Sequence, residues 1–235
     1  MKTPLNPKGI SKNFWRLMDS CTDTAFHAWN RKWMTEEGRA DWTRPEQDVI
    51  DIVPFLRSRG ITTVLDLGCG IGRHSLFLAS EGFEVSSLDA STTGLTVARD
   101  YSRNARLPIE FCVSKMTQLP YRADSFDYVL AWNVLYHGAP NIVQLSFNET
   151  LRVLRRGGIF HGTMLSKQNS LYQKGRLIEK DTFIIDDDDE KQHPHYYCGN
   201  TELEKLLTGF AIFSVQHREH NKSGSYHWHF IAEKL

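Results

Sequence analysis

The pattern of apolar and polar positions changes at Ile61. From there the chain alternates between short apolar runs and segments whose apolar residues recur with helical spacing. Strands are predicted at "TTVLDLG", "FEVSSLDA", "IEFCVSK", "FDYVLAWNVLY" and "GGIFHGTML", with helices at Ile71 to Glu81, Thr93 to Asn104 and Asn141 to Arg155. A helix, a strand, a turn and a second strand close the chain. This alternation predicts an α/β fold, a doubly wound and mostly parallel sheet of seven strands with an antiparallel C-terminal hairpin strand.

Three segments stand apart from this alternation. Residues 1–43 are polar but rich in aromatic side chains, and we interpret them as a cap or lid. Residues 44–235 are predicted to form the domain proper, so that the chain is a single domain overall. It begins with a helix over residues 45–60, where proline stands at a position that helix starts tolerate. Residues 166–200 lack clear periodicity and are predicted to be a polar loop on the substrate side.

The first predicted strand leads into a glycine-rich loop. Gly68, Gly70 and Gly72 alternate after Asp66, and Asp89 ends the second predicted strand. Glycines at such a turn let the backbone approach a nucleotide, and an acid at the second strand end can accept hydrogen bonds from ribose hydroxyls. The third glycine comes one residue earlier than in the dinucleotide fingerprint, which disfavours a dehydrogenase. The loop also lacks a phosphate-loop lysine, which disfavours a nucleoside triphosphatase.

The form D-x-G-x-G-x-G resembles motif I of the class I S-adenosylmethionine-dependent methyltransferases, a Rossmann-like family, and the resemblance extends over residues 60–165. It implies S-adenosylmethionine as the cofactor and S-adenosylhomocysteine as the product. It also implies that Asp66 faces the cofactor's ammonium group, that Asp89 holds the ribose, and that the Met116 region packs on adenine. Lys115 stands where the family commonly has an acid, so Ser114 or a backbone carbonyl is expected to receive the adenine amino group. The implied cofactor-binding residues are Asp66, Gly68, Cys69, Gly70, Gly72, Asp89, Ala90, Lys115, Met116, Trp132 and Asn133.

The acceptor side is predicted from histidines and aromatic residues. Methyl transfer from a sulfonium needs a general base only if the nucleophile arrives protonated. His137, just past the fourth strand, and His195 are the candidate catalytic residues. Aromatic faces attract a sulfonium cation, which makes tryptophans of the N-terminal segment candidates for the pocket wall. The predicted substrate-binding residues are Trp29, Trp33, His137 and Tyr196.

No metal site is predicted. The acidic run over residues 186–190 is interpreted as a solvated loop, because consecutive acids cannot all face one ion. The segment "HPHYYC", residues 193–198, combines histidine and cysteine, but no second ligand pair of convincing spacing follows it. We interpret this segment as pocket lining first, core packing second and metal ligation last.

Composition narrows the partners and the compartment. The 28 basic and 28 acidic residues give zero formal net charge, which provides no electrostatic reason to expect long nucleic acids or an anionic membrane. No apolar run approaches the roughly 20 residues that span a bilayer, and the N-terminus has no apolar signal-peptide core. The cysteines, Cys21, Cys69, Cys112 and Cys198, form no CxxC pair. We therefore expect a cytoplasmic protein with reduced thiols.

Together these features predict a methyltransferase that transfers a methyl group to a small-molecule acceptor by in-line displacement. The segments "AWNRKW" and "HWHFIAEKL" loosely resemble small methyltransferases of the tellurite and thiopurine type. Sulfur or metalloid, nitrogen and oxygen all stay open as the methylated atom, and so does the oligomeric state. Two alternatives are a nicotinamide-dependent oxidoreductase and a non-catalytic S-adenosylmethionine-binding sensor or partner subunit.

Overall fold

The structure, a computed structural model, describes residues 23–186 and 191–235. The strands of this part of the chain are β1 (Thr63–Leu67), β2 (Glu84–Asp89), β3 (Ile109–Val113), β4 (Phe126–Ala131), β5 (Leu154–Ser166), β6 (Arg176–Glu179), β7 (Thr182–Ile184), β8 (His195–Cys198), β9 (Phe210–Glu219) and β10 (Tyr226–Lys234). Its helices are α1 (Ala25–Lys32), α2 (Glu36–Ala40), α3 (Gln47–Asp51), α4 (Val53–Ser58), α5 (Arg73–Ser80), α6 (Thr92–Ala105), α7 (Pro140–Val153) and α8 (Asn200–Leu206). Among these helices, none combines the length and apolar character needed to cross a membrane.

Seven strands follow one another across the sheet in the order β3-β2-β1-β4-β5-β10-β9. Strands β1 to β5 pair in parallel, and β10 is antiparallel to both β5 and β9. Helices α5, α6 and α7 connect successive parallel strands, as crossover connections require. The predicted α/β fold with its antiparallel C-terminal hairpin is therefore confirmed. Because the parallel strands run in one direction, the carboxyl ends of β1, β2 and β4 meet at the same edge of the sheet.

The segment over residues 166–200 differs from the predicted loop. It contains three short strands, β6, β7 and β8, so the sheet formed by the described residues has ten strands, where seven were predicted. Strand β8 pairs in parallel with the end of β5 and antiparallel with β7. All four residues of β8 are buried. Strands of three or four residues are too short for alternation to be read from sequence, and here burial against β5 decides the conformation.

The predicted helix over residues 45–60 is also divided in two. Helix α3 ends at Asp51 and α4 begins at Val53, with Ile52 between them. Pro54 lacks the backbone N–H that would continue the hydrogen-bond series to Ile50, and it stands instead in the first turn of α4, where no such donor is needed.

Helices and other segments bury both faces of the central strands. On one face of β1 and β4, the buried residues include Leu65, Val129, Val143 and Phe147, the last two from α7. On the opposite face they include Val64, Tyr128, Val49, Leu56 and Leu78, the last three from α3, α4 and α5. Since successive side chains of a strand point to opposite faces, burial of both faces explains the almost unbroken apolar sequences of β1 and β4.

One carboxylate joins the starts of β1, β4 and β5. Asp127 accepts hydrogen bonds from the backbone N–H groups and hydroxyls of Thr62 and Thr63, at 2.9–3.1 Å. The Arg155 guanidinium lies 2.5 Å from its other oxygen. Burial alone would raise the pKa of Asp127, but the hydrogen bonds from both threonines outweigh burial and lower it. The ionised carboxylate of Asp127 is therefore more stable in the folded chain than in the unfolded chain.

Asp127→Ala is expected to lower the free energy of unfolding by about 1.5–3 kcal/mol near neutral pH, the range for hydrogen bonds to a charged group. A lowered folded-state pKa stabilises the fold above the unfolded-state value of about 3.9, and this stabilisation is lost as the pH falls. Urea denaturation of both proteins between about pH 7 and pH 3 tests this. The control Asp124→Asn removes the charge of an exposed carboxylate paired with Lys234 and should cost less than about 1 kcal/mol, because asparagine tolerates the positive φ of this position. A difference for Asp127→Ala that does not shrink in acid would contradict the assignment.

Candidate functional site

The glycine loop occupies the carboxyl end of β1 and leads into α5. Gly68 donates its backbone N–H to the Leu88 carbonyl at 2.7 Å, which ties the loop to β2. Gly68 has a φ of +72°, and a Cβ atom there would overlap the Val134 side chain beyond β4. Gly70 faces the Trp33 ring, which would lie 3.2 Å from an added Cβ. Close approach of these neighbours therefore requires glycine at Gly68 and leaves little space at Gly70.

Asp89 connects this loop to the next crossover unit. One carboxylate oxygen accepts a hydrogen bond from Gly70 N at 2.8 Å, and the other accepts one from Ser91 N at 2.7 Å. Burial raises the pKa of Asp89, although these backbone hydrogen bonds oppose the shift. The Ser91 hydroxyl in turn accepts a hydrogen bond from Gly94 N and caps α6. Asp89 thus stands at the pocket edge with both oxygens oriented and further acceptor capacity.

A pocket that is partly open to solvent lies at this edge of the sheet. The predicted site residues that line it are Trp29, Trp33, Gly68, Cys69, Gly70, Asp89, Ala90, Lys115, Met116, Trp132, Asn133 and His137. Asp66, Gly72, His195 and Tyr196 are not among its lining residues. The structure therefore brings most of the predicted site together and leaves these four behind its wall.

Asp66 is turned away from the pocket. Its carboxylate accepts a hydrogen bond from the Ser75 hydroxyl of α5 at 2.5 Å, and Ser75 accepts one from Ser87 at 2.7 Å. Burial raises the pKa of Asp66 to about 6. The family resemblance predicted that Asp66 faces the cofactor's ammonium group. In the structure, Asp66 instead links β1 and β2 to α5. Gly72, also behind the loop, is the residue that precedes α5.

Aromatic side chains of the N-terminal segment cover the glycine loop. The rings of Trp29 and Trp33 stack with centroids 5.0 Å apart, and the Trp42 ring meets both edge-on. The Asn30 side-chain oxygen anchors α1 to the start of α6, because it accepts hydrogen bonds from the Ser91 hydroxyl at 2.8 Å and from a backbone N–H at 3.1 Å. Phe14, Trp15 and Cys21 of the same segment lie outside the described residues.

Lys115, the residue that departs from the family pattern, has a local partner. Its ammonium lies 2.9 Å from the Asp23 carboxylate and 5.3 Å from the centroid of the Phe26 ring. Asp23 and Phe26 also line the pocket, and sequence reasoning did not identify them. Ser114 also lines the pocket; its hydroxyl donates to the Gln118 carbonyl at 2.8 Å, and its oxygen can still accept a hydrogen bond. Lys115 therefore joins the start of α1 to the pocket edge.

His137 contributes a buried imidazole to the pocket wall. Its Nε2 lies 3.0 Å from the Asn133 carbonyl oxygen, which can only accept, so Nε2 carries the proton. Its Nδ1 lies 2.8 Å from His193 Nε2. Burial lowers the pKa of His137 well below its ordinary value, and the ring is neutral at neutral pH. Both ring nitrogens are thus engaged within the protein.

His195 and Tyr196 lie behind His137, in β8. The backbone of this segment pairs with the residues after β4, because Tyr196 N donates to the Tyr136 carbonyl at 2.9 Å. The His195 ring centroid lies 4.8 Å from that of His137. His193 is the third histidine of this cluster. The segment "HPHYYC" identified it in the sequence, but its contact with His137 could not be predicted.

Two pocket residues at the start of α5 were missed altogether. The Arg73 guanidinium lies 2.9 Å from Glu46 and 5.0 Å from the centroid of the Trp42 ring. The His74 ring is buried, and its Nε2 accepts a hydrogen bond from Glu46 N at 3.3 Å. Both residues directly follow the glycine loop, and this position was the signal that could have identified them.

Comparison with known proteins agrees with this geometry. Residues 64–158 match the family described as "Methyltransferase domain". The chain is 35% identical over 105 residues to a ubiquinone biosynthesis O-methyltransferase of Paramagnetospirillum magneticum, covering 45% of this chain and 41% of that protein. It is 32% identical over 164 residues to a malonyl-[acyl-carrier protein] O-methyltransferase of Salmonella typhimurium, covering 69% and 59%. A solved S-adenosylmethionine-dependent methyltransferase of Methanosarcina mazei superposes with a TM-score of 0.68 at 25% identity, covering 77% and 97%.

The chain belongs to the class I S-adenosylmethionine-dependent methyltransferases. The predicted family and its cofactor, S-adenosylmethionine, are thereby confirmed. The aligned regions span 41% and 59% of the lengths of the two curated relatives above. The pocket fits this cofactor, because it offers an oriented carboxylate, a close-approach glycine loop and aromatic faces together.

Gly68→Ala is expected to impair both folding and cofactor binding, because the new methyl group would overlap Val134 in addition to the strain of a positive φ. Gly82 is the matched control, since its φ is +89° but no heavy atom lies within 4 Å of an added Cβ. Gly82→Ala should cost about 1–2 kcal/mol of stability, the cost of the backbone conformation alone. Gly68→Ala should cost more and should weaken S-adenosylhomocysteine binding. Urea denaturation and calorimetric titration measure the two effects, and equal losses in the two variants would contradict the close-approach argument.

Proposed function

We propose that this chain is an enzyme that transfers a methyl group from S-adenosylmethionine to a small-molecule acceptor by in-line displacement. The observation that carries the proposal is the pocket at the carboxyl ends of β1, β2 and β4. It combines the glycine loop, Asp89 and a wall of tryptophan and histidine side chains. These groups suit a ligand with a ribose, a positive centre and an adjacent reacting partner.

On this proposal, the two oxygens of Asp89 accept hydrogen bonds from the ribose hydroxyls while they keep their bonds to Gly70 and Ser91. Met116 packs against the adenine, and the Lys115–Asp23 pair closes that end of the pocket. The remaining predicted cofactor contacts, from Cys69, Ala90, Trp132 and Asn133, come from residues that line the same cavity.

When bound, the cofactor supplies an electrophilic methyl carbon on a sulfonium; the new bond forms to the acceptor as the carbon–sulfur bond breaks and its electron pair stays on sulfur. The protein's contribution is alignment and exclusion of water. Trp29 and Trp33 offer aromatic faces to a positive charge. Of the predicted cap, residues 1–43, the described residues from 23 onward cover the glycine loop. The described part of residues 166–200 supports the substrate side of this single domain from behind His137.

His137 is best suited to shape the acceptor side rather than to take a proton. Its Nε2–H already donates to Asn133, and its Nδ1 is already in contact with His193. A general-base role for His137 requires one of these contacts to break, and His195 does not line the pocket. Trp29, whose ring lies 5.8 Å from that of His137, completes this side of the proposed acceptor site. Tyr196, which was predicted to bind the substrate, does not line the pocket and supports His137 from behind the pocket wall.

The acceptor is proposed to be a small molecule. The balanced charge of the chain, 28 basic and 28 acidic residues, does not favour a long nucleic acid. The two curated relatives above are named as O-methyltransferases, which favours an oxygen atom on the acceptor. A cytoplasmic location is proposed with it, in keeping with cysteines that are free in the described residues, namely Cys69, Cys112 and Cys198.

The proposal is tested by calorimetric titration with S-adenosylmethionine, S-adenosylhomocysteine and nicotinamide dinucleotides, followed by transfer of a labelled methyl group to panels of phenols, thiols and amines. Asp89→Ala should weaken binding of the adenosyl ligands by about 1–3 kcal/mol. Asp100→Ala, which removes an exposed carboxylate of α6, should leave binding unchanged. Binding without transfer to any acceptor would indicate a sensor or partner subunit, and dinucleotide binding would indicate an oxidoreductase.

Trp29→Leu should weaken the affinity for S-adenosylmethionine by about 0.5–2 kcal/mol more than the affinity for S-adenosylhomocysteine. The two ligands differ by one methyl group and one positive charge, so S-adenosylhomocysteine is the internal control for changes in shape. Calorimetric titration of both ligands against both proteins measures the difference. Equal losses for the two ligands would show that the Trp29 ring does not stabilise the sulfonium.

A further inference from the structure

We propose that His137, His193 and His195 form a binding site for one divalent transition-metal ion, adjacent to the pocket through His137. One ring nitrogen from each histidine lies within 4.8 Å of those of the other two. The three side chains come from two distant parts of the sequence, which the backbone pairing of residues 136–138 with 194–196 brings together. Ion binding itself does not depend on the proposed methyl transfer.

The three rings form a compact and buried group. The three residues are buried: His137, His193 and His195 are 5%, 2% and 1% exposed. Their ring centroids are 4.3–4.8 Å apart. Around a tetrahedral zinc ion with Zn–N distances of 2.0–2.1 Å, two ligand nitrogens are separated by about 3.3 Å. The distance of 2.8 Å between His137 Nδ1 and His193 Nε2 is shorter than this separation, so these two rings move apart when an ion binds.

In His137 and His195, a hydrogen bond to a backbone carbonyl fixes the proton on one ring nitrogen. The other nitrogen keeps a lone pair that can bind an ion. His137 donates its Nε2–H to the Asn133 carbonyl, which leaves Nδ1 with a lone pair. His195 donates its Nδ1–H to the His193 carbonyl at 2.8 Å, which leaves Nε2 with a lone pair. A metal-ligating histidine usually gives its other N–H to a carbonyl or carboxylate in this way, which fixes the ring and its tautomer.

His193 provides an independent sign that the group is incomplete. Its Nε2 lies 2.8 Å from His137 Nδ1, while its Nδ1 is buried with no hydrogen-bond partner. A buried polar atom left without a partner costs about 1–3 kcal/mol. Three imidazoles in contact, one of them unsatisfied, are therefore poorly explained as ordinary core packing. Because His137 Nδ1 can only accept, His193 Nε2 carries the proton in this contact. For Nε2 to bind an ion, this proton must move to Nδ1, and coordination then replaces the contact with His137.

The chemistry of the group favours a borderline-soft ion. Imidazole nitrogen suits zinc, copper, iron and nickel, whereas magnesium and calcium prefer oxygen. Lys191 and Arg31 are the positive groups that act on the cluster. Their charge reduces affinity for any cation, which selects against weakly bound ions.

The position of the site gives it a role that rests on the proposed function. Three protein ligands leave a coordination position open, as in catalytic rather than structural zinc sites. His137 lines the pocket, while its Nδ1 faces His193 behind the wall, so an acceptor oxygen or sulfur reaches the open position of the ion only if the wall opens beside His137. A divalent ion lowers the pKa of a bound hydroxyl or thiol, whose proton then leaves to solvent before methyl transfer. This chemistry would supply the activated nucleophile that His137, with both nitrogens engaged, does not.

The test uses the 235-residue chain after removal of metal with a chelator. Calorimetric titration with Zn²⁺ should give one site per chain, and zinc should raise the thermal unfolding midpoint. His193→Ala and His195→Ala should each weaken zinc binding at least tenfold and abolish the zinc-dependent shift in midpoint. His193→Gln, which keeps a neutral polar side chain, is the second variant in case the alanine variant folds poorly. His217→Ala, in β9 and hydrogen-bonded to Ser166, is the matched histidine control and should bind zinc normally.

Zinc binding that is absent in the wild-type chain, or unchanged in the His193 and His195 variants, would overturn this site. Titration of the metal-free chain with S-adenosylhomocysteine separates the two proposals. If S-adenosylhomocysteine binds and zinc does not, only the metal site is wrong. If zinc binds through the three histidines and no adenosyl ligand binds, the metal site stands and the proposed function falls.

Discussion

The hydrogen bond from Gly70 N to the Asp89 carboxylate is the contact on which the site depends. It joins the loop after β1 to the end of β2, while the second oxygen of the same carboxylate accepts from Ser91 N before α6. Two crossover units are thereby held in register at the edge of the sheet. The loop must pass close to Val134 to make this contact, and only glycine at Gly68 allows that approach. A cofactor that binds here meets a carboxylate already oriented by the backbone.

Around this contact, three distant parts of the chain build the remaining wall. Helix α1 brings Trp29 and Trp33 over the glycine loop, and Asn30 anchors it to the start of α6. The residues after β4 supply His137, and the segment before β8 supplies His193 behind it. The aromatic faces suit a positive charge, whereas the histidines are neutral because burial disfavours their charged forms. The pocket thus places an apolar, electron-rich wall opposite a polar loop.

Much of the fold could be predicted from local pattern. The parallel strands and their crossover helices were predicted because each apolar run is long enough for its period to be read, and Asp89 was found because it ends such a run. The break at Ile52 and strands β6 to β8 were not predicted. The break at Ile52 depends on a single missing backbone donor at Pro54. Strands β6 to β8 are too short to show an alternation of apolar and polar residues. The ion pair between Lys115 and Asp23 depends on a contact 92 residues apart, which no local pattern encodes.

The sequence by itself determined the α/β class, the glycine loop and the acid at the end of β2. Strand and helix periodicity, and the need for glycine at a tight turn, are properties of neighbouring residues. Only the tertiary structure decided that Asp66 faces Ser75 rather than the pocket, and that His193 and His195 meet His137. These outcomes depend on which backbone segments pair and which side chains lose water together. Such choices are made by long-range burial, whose free energy depends on partners far away in the sequence.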